Sequence, residues 1–130
     1  MPAGEAFGPR QQDDIVRALR NAQAVSGLRT SVYVGTLGPD PRTQACRLHA
    51  ALRPDPGAAV LVAVDPGQRR LEIVTGAAAA RQLDDRSCAL AAASMTSAFL
   101  AGDLAGGIVT GVQMLAEHAR QPRTLHTGTP

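Results

Sequence analysis

The stretch "AAVLVAVDPGQRRLEIVTG", residues 58–76, decides the fold. Its first part, Ala58 to Val64, is an unbroken apolar run, the pattern of a strand covered on both faces. "DPGQ" then reverses the chain at once into a second strand, in which Leu71, Ile73 and Thr75 alternate with Glu72 and Val74. The pair is an antiparallel hairpin.

Upstream, "RPDPG" stops a helix that Asp40-Pro41 opens, with an acid at the cap and proline at the first position, and that runs to about Leu52. Before it, "TSVYVGTL" is β-branched and aromatic, so Ser31 to Leu37 is expected to be a buried strand. Strand, helix, strand implies a right-handed parallel crossover, so the sheet is small and mixed. At the N-terminal side, Gln11 to Ser26 spaces Ile15, Val16, Leu19, Ala22 and Val25 as one helical face that Gly27 ends. Asp13 and Asp14 are placed to favour its first turn.

Downstream of Gly76, "AAAARQL" is weakly specified. Asp84-Asp85 then supplies a cap and a first-turn acid for an alanine-rich helix to Leu100. Ala101-Gly102 ends that helix and Asp103 caps the next, which carries Gly106, Gly107 and Gly111 along one side. Each glycine costs a helix roughly 1 kcal/mol relative to alanine, so a close approach to a neighbouring element is the expected compensation. A phosphate cradle there is opposed by Asp103, which sits where the anion would lie. Leu104 to Ala116 is an apolar stretch of 13 residues and contains Gln113. A membrane span needs roughly 20.

The expected architecture is therefore a three-layer α/β/α sandwich, with a small mixed sheet built from a parallel crossover plus an antiparallel hairpin, and a C-terminal helical hairpin. Val32, Val34, Val60, Leu61, Val62, Val64, Leu71 and Ile73 are the expected core. Residues 1–11 are expected to be a flexible N-terminus, residues 12–120 one domain, and residues 121–130 a tail, extended and loosely held from Pro122 onward.

Composition bounds the function. The chain has 130 residues, 45% hydrophobic and 18% charged, enough for one core. Its net charge is +2, its 13 basic residues are all arginine, and no basic run exceeds Arg69-Arg70. With one Tyr, two Phe and no Trp there is neither a basic patch nor a stacking platform for nucleic acid. Lysine is absent beside abundant Ala, Gly, Arg and Pro, the coding bias of a high-GC bacterial genome. "MPAGEAFGPRQQDD" does not resemble a secretory leader, so the default address is cytoplasmic. Cys46 and Cys88 are expected to be buried free thiols.

The succession "SGLRTSVYVG", "AAVLVAVDPGQRRLEIVTG", "LDD" with its helix, and "AFLAGDLAGGIVTGVQML" resembles the TPM domain over roughly residues 12 to 120. The family occurs in bacterial envelope proteins and in thylakoid proteins of photosystem repair; the chain looks closest to a short soluble actinobacterial variety of uncharacterised function. The resemblance implies an α/β/α sandwich. It also implies one of two functions, since some plant members are associated with acid phosphatase activity and calcium while many bacterial members are non-enzymatic accessory modules. Typical members follow the third strand with a glycine-rich loop that includes a glutamate, whereas "TGAAAARQL" offers alanines and Arg81.

Among the residues themselves there is no nucleotide fingerprint, no zinc spacing and no nucleophile elbow. His49, His118 and His126 are isolated from one another in sequence, which suits packing or solvated roles. Asp65 is explained by its turn and Asp103 by its cap. One cap needs only one acid, so Asp84 and Asp85 leave a carboxylate over. The helix from Asp84 to Leu100 would be about 25 Å long at roughly 1.5 Å per residue, which separates Asp84 from Asp103 and Asp65. Any ligand or metal site is thus expected at Gly76, Arg81, Asp84 and Asp85, with Arg86 beside them. The expected function is a non-catalytic accessory or interaction domain, without a cofactor. The alternative is a divalent-metal-dependent acid phosphatase using calcium or another divalent cation. The expected partner is a protein, with association of like copies left open.

Overall fold

Central to the sheet is β2 (Ala59–Asp65), in which every residue is buried. The computed structural model describes residues 7–120. Strand β1 (Arg29–Val34) lies parallel to β2, with Val32 opposite Val62. Strand β3 (Arg70–Thr75) lies antiparallel on the other side, with Ile73 opposite Val62 and Arg70 opposite Asp65 at the turn. The order β1-β2-β3 makes both outer strands edges.

Because strand side chains alternate, β2 feeds two cores. Val60, Val62 and Val64 pack on one side with Ile15 and Ala22 of α1 (Pro9–Ser26), Ala91 and Met95 of α3 (Asp85–Leu100), and Ile108 and Val112 of α4 (Leu104–His118). Leu61 and Ala63 pack on the other side with Ala45 of α2 (Pro41–Ala50), Leu37 and Val74. Three helices therefore cover one face and a single helix the other. This is the expected sandwich with unequal layers.

Edge positions correct two expectations. Val32, Leu71 and Ile73 are only half-buried, and β1 starts earlier and ends earlier than Ser31 to Leu37. Leu37 is buried at 1% exposure, yet it lies in the loop after the strand. The acids Asp13 and Asp14 fall beyond the first turn of α1, because Pro9 opens the helix and Gln11 Oε1 accepts the Gly8 amide at 3.0 Å. Cys46 is exposed on α2 and Cys88 half-buried, so the first is not a core thiol. Of the expected flexible N-terminus, residues 9–11 belong to α1, while residues 1–6 and the tail 121–130, His126 with it, lie outside the described residues.

The helical hairpin forms as its sequence implies, with one difference. Gly102 takes the left-handed conformation at φ 85, and Asp103 Oδ1 accepts the Gly106 amide at 2.9 Å. Gly107 and Gly111 let α4 approach α3: a methyl at Gly107 would lie 2.9 Å from the Ala98 Cβ, and one at Gly111 would overlap the Met95 side chain. Gly106 does not join them; it faces its own cap. Among the described residues no helix is long and apolar enough to cross a membrane.

Candidate functional site

At the far end of β3 the chain leaves the sheet through Gly76, which is buried. Its amide donates to the Ala59 carbonyl and its carbonyl accepts from Ala80, both at 2.9 Å, while Ala78 donates to Gly57. A methyl at Gly76 would overlap the Pro56 carbonyl oxygen and the Gly57 backbone. Glycine is therefore required by a close backbone crossing, a packing reason rather than a catalytic one.

A short turn, Ala79–Arg81, leads to buried Leu83 and then to the acids. Asp84 Oδ1 accepts the Ser87 amide at 2.8 Å and caps α3. That bond and one with the Ser87 side chain hold its carboxyl below the usual aspartate range, with smaller help from His118 and Arg86. Asp85 occupies the first turn, where the helix dipole favours an acid. The spare carboxylate thus has a helix-end role. Burial, and then the fields of Asp85 and Asp84, push the neighbouring Cys88 thiol up, away from the thiolate form that reacts. Arg81 is exposed and makes no ion pair with either acid. Arg81, Asp84 and Asp85 follow Gly76 at this end of the domain, and no hydrogen bond or ion pair joins the four to one another. Among the described residues no three His, Cys, Asp or Glu side chains are grouped as a metal would need.

The opposite end is more sharply built. Asp65 is 5% exposed. Its Oδ2 accepts the Leu37 amide at 2.9 Å and the Gln68 side-chain amide at 2.8 Å, and its Oδ1 accepts the Gln68 backbone amide at 3.1 Å. The turn residue is also a clamp on the β1–α2 loop, which its place in "DPGQ" does not reveal. The Leu37 bond foremost, opposed by desolvation, lowers the Asp65 carboxyl below its ordinary 3.8. A lowered folded value contributes stability that is present above the unfolded value and is lost as pH falls through the folded one. Asp65→Asn, which cannot titrate, should therefore show a shallower loss of urea stability between about pH 5 and pH 2 than the wild type. Asp65→Ala, leaving the Leu37 amide without its acceptor, should cost about 1–3 kcal/mol near neutral pH. A urea midpoint unchanged by the alanine would rule out the clamp.

Beside this turn lies a groove of about 570 Å³ between β3 and the α3–α4 junction. Leu71, Phe99, Leu100 and Leu104 supply its apolar lining, and Arg69 and Arg70 its rim. Leu100 is 74% exposed, an unusual position for a large apolar side chain. Glu72, also at the groove, is bridged at 3.4 Å by Arg70 and at 3.5 Å by Arg42. Arg69 has no acidic partner among the described residues. Arg69-Arg70 is the longest basic run in the sequence, but nothing local to it indicates that Leu100, 30 residues beyond Arg70, lines the same groove.

A family profile described as a domain of unknown function, DUF5130, matches residues 4–116. The chain belongs to that family. Two uncharacterised proteins of Mycobacterium tuberculosis are each 30% identical to it over 99 residues, covering 76% of this chain and 59% of their own length. The DUF5130 chain thus matches less than two-thirds of the curated relatives. Its fold is shared with the BA42 protein of Bizionia argentinensis, at TM-score 0.78 and 17% identity over 87% of this chain and 81% of that one. It is shared also with the N-terminal domain of a Corynebacterium glutamicum protein, at TM-score 0.74 and 16% identity over 99% of this chain and 86% of that one. At such identities the likeness concerns the fold alone.

Proposed function

We propose that this DUF5130 chain is a non-catalytic accessory or interaction domain of the TPM type, acting without a metal or other cofactor in the bacterial cytoplasm. The observation that carries the proposal is the use to which the candidate acids are put. Asp84 is spent on the Ser87 amide, Asp85 lies at the helix dipole, and Asp65 is buried on three donors. Each carboxylate thereby has a structural task that accounts for it. An apolar surface lies instead at the groove, where among the described residues no element covers the exposed Leu100. Two free thiols suit a reducing compartment.

A phosphate-ester assay with p-nitrophenyl phosphate in calcium, magnesium or manganese tests the proposal. No turnover above buffer is expected for wild type or for Asp84→Asn. Turnover that needs a divalent cation and vanishes in Asp84→Asn would replace the proposal with a metal-dependent phosphatase.

A further inference from the structure

The groove beside β3 adjoins an unfinished sheet edge. The Gly76 amide bonds to Ala59, so alternation directs the peptide groups of Glu72 and Val74 toward β2 and those of Leu71, Ile73 and Thr75 away from it. Arg42 crosses from α2 and donates to the Ile73 carbonyl at 2.8 Å, closing the middle of the edge. Among the described residues no such bond closes the edge at Leu71, next to the apolar wall of α3 and the α3–α4 junction.

Edge arginines ordinarily discourage sheet pairing. Here they also select. An isologous antiparallel pairing at Leu71 would set Arg69 opposite Ile73 of the second copy and so leave it without an acid. A basic or neutral segment would leave Arg69 unpaired. An acidic one would satisfy it, and would give Arg70 a partner that it need not share with Arg42. Extended peptides add to open strand edges through main-chain bonds, with side-chain pockets setting specificity.

We infer that the groove receives a short acidic segment of another protein, extended along β3 at Leu71. A large apolar side chain of that segment sits against Phe99, Leu100 and Leu104, and its carboxylates meet Arg69 and Arg70. The inference rests on the interaction-domain reading and names the partner's chemistry.

Selection of displayed random decapeptides on the full chain, with the winners titrated by fluorescence anisotropy, tests it. The expected winners flank leucine, isoleucine or phenylalanine with aspartate or glutamate. Their dissociation constants should rise about tenfold or more in Leu100→Asp and in Arg69→Glu, the loss of an apolar anchor or of a charge pair. Both residues are exposed, so circular dichroism and melting temperature should stay close to wild type. Basic or neutral winners, no winners, or binding indifferent to both variants would overturn the inference. So would a dimer in sedimentation that Leu100→Asp dissociates. Divalent-cation-dependent phosphatase turnover would instead defeat the interaction-domain reading, so the two failures are distinguishable.

Discussion

Gly76→Ala should destabilise the domain by about 1–3 kcal/mol, the range of a forced overpacking. The methyl would overlap the Pro56 carbonyl oxygen and the Gly57 backbone, and neither can retreat cheaply. Gly57 is tied to Ala78, and Gly76 itself to Ala59, so relief at one point strains the ladder at β2, the most buried strand. Urea denaturation should show a lower midpoint at an unchanged slope. An unchanged midpoint would mean that the crossing is loose and would return Gly76 to the list of residues free to serve a ligand.

The second large effect is at the α3–α4 contact. Met95 is fully buried, and Met95→Ala should cost about 2–5 kcal/mol through lost burial and the cavity left behind. Its coupling to Gly111 is the sharper test. In the wild-type background Gly111→Ala gains roughly 1 kcal/mol of helix propensity but pushes a methyl into the Met95 side chain, so the balance should be destabilising. In the Met95→Ala background the clash is gone and the same substitution should stabilise. A double-mutant cycle that is additive would show that the glycine does not serve this contact.

What was legible in the sequence follows from how locally each feature is determined. The run Ala58 to Val64 names a strand buried on both sides wherever it packs, and "DPGQ" leaves the chain little choice but to reverse. The caps at Asp40, Asp84 and Asp103 each act within three residues, and all three form as read. The limits of β1 were not legible, because "TSVYVGTL" is as suitable for a strand beyond Val34 as before it; the strand stops where Leu37 is drawn onto Asp65, 28 residues away in sequence. The half-burial of Leu71 and Ile73 depends on β3 being an edge, a property of the whole sheet. Glycine at position 76 reads locally as part of a ligand loop, because Pro56 and Gly57, which lie across it, are distant in sequence. For the same reason the groove was invisible: Arg69 and Leu100 are unremarkable separately, and only the return of α3 to the hairpin turn brings them to one cleft.

The claim that the acids at the Gly76 end serve the helix, with the domain's interactions made elsewhere, meets its most direct test in one comparison. Melting temperatures of wild type and Asp84→Asn are measured while calcium, magnesium or manganese is titrated. Asparagine caps a helix about as well as aspartate, so the two proteins should melt close together and no cation should move either. Were the pair a metal site, a cation at about a hundredfold excess over its dissociation constant would raise the wild-type melting temperature by binding linkage. A saturating rise in wild type that is absent from Asp84→Asn would contradict the account.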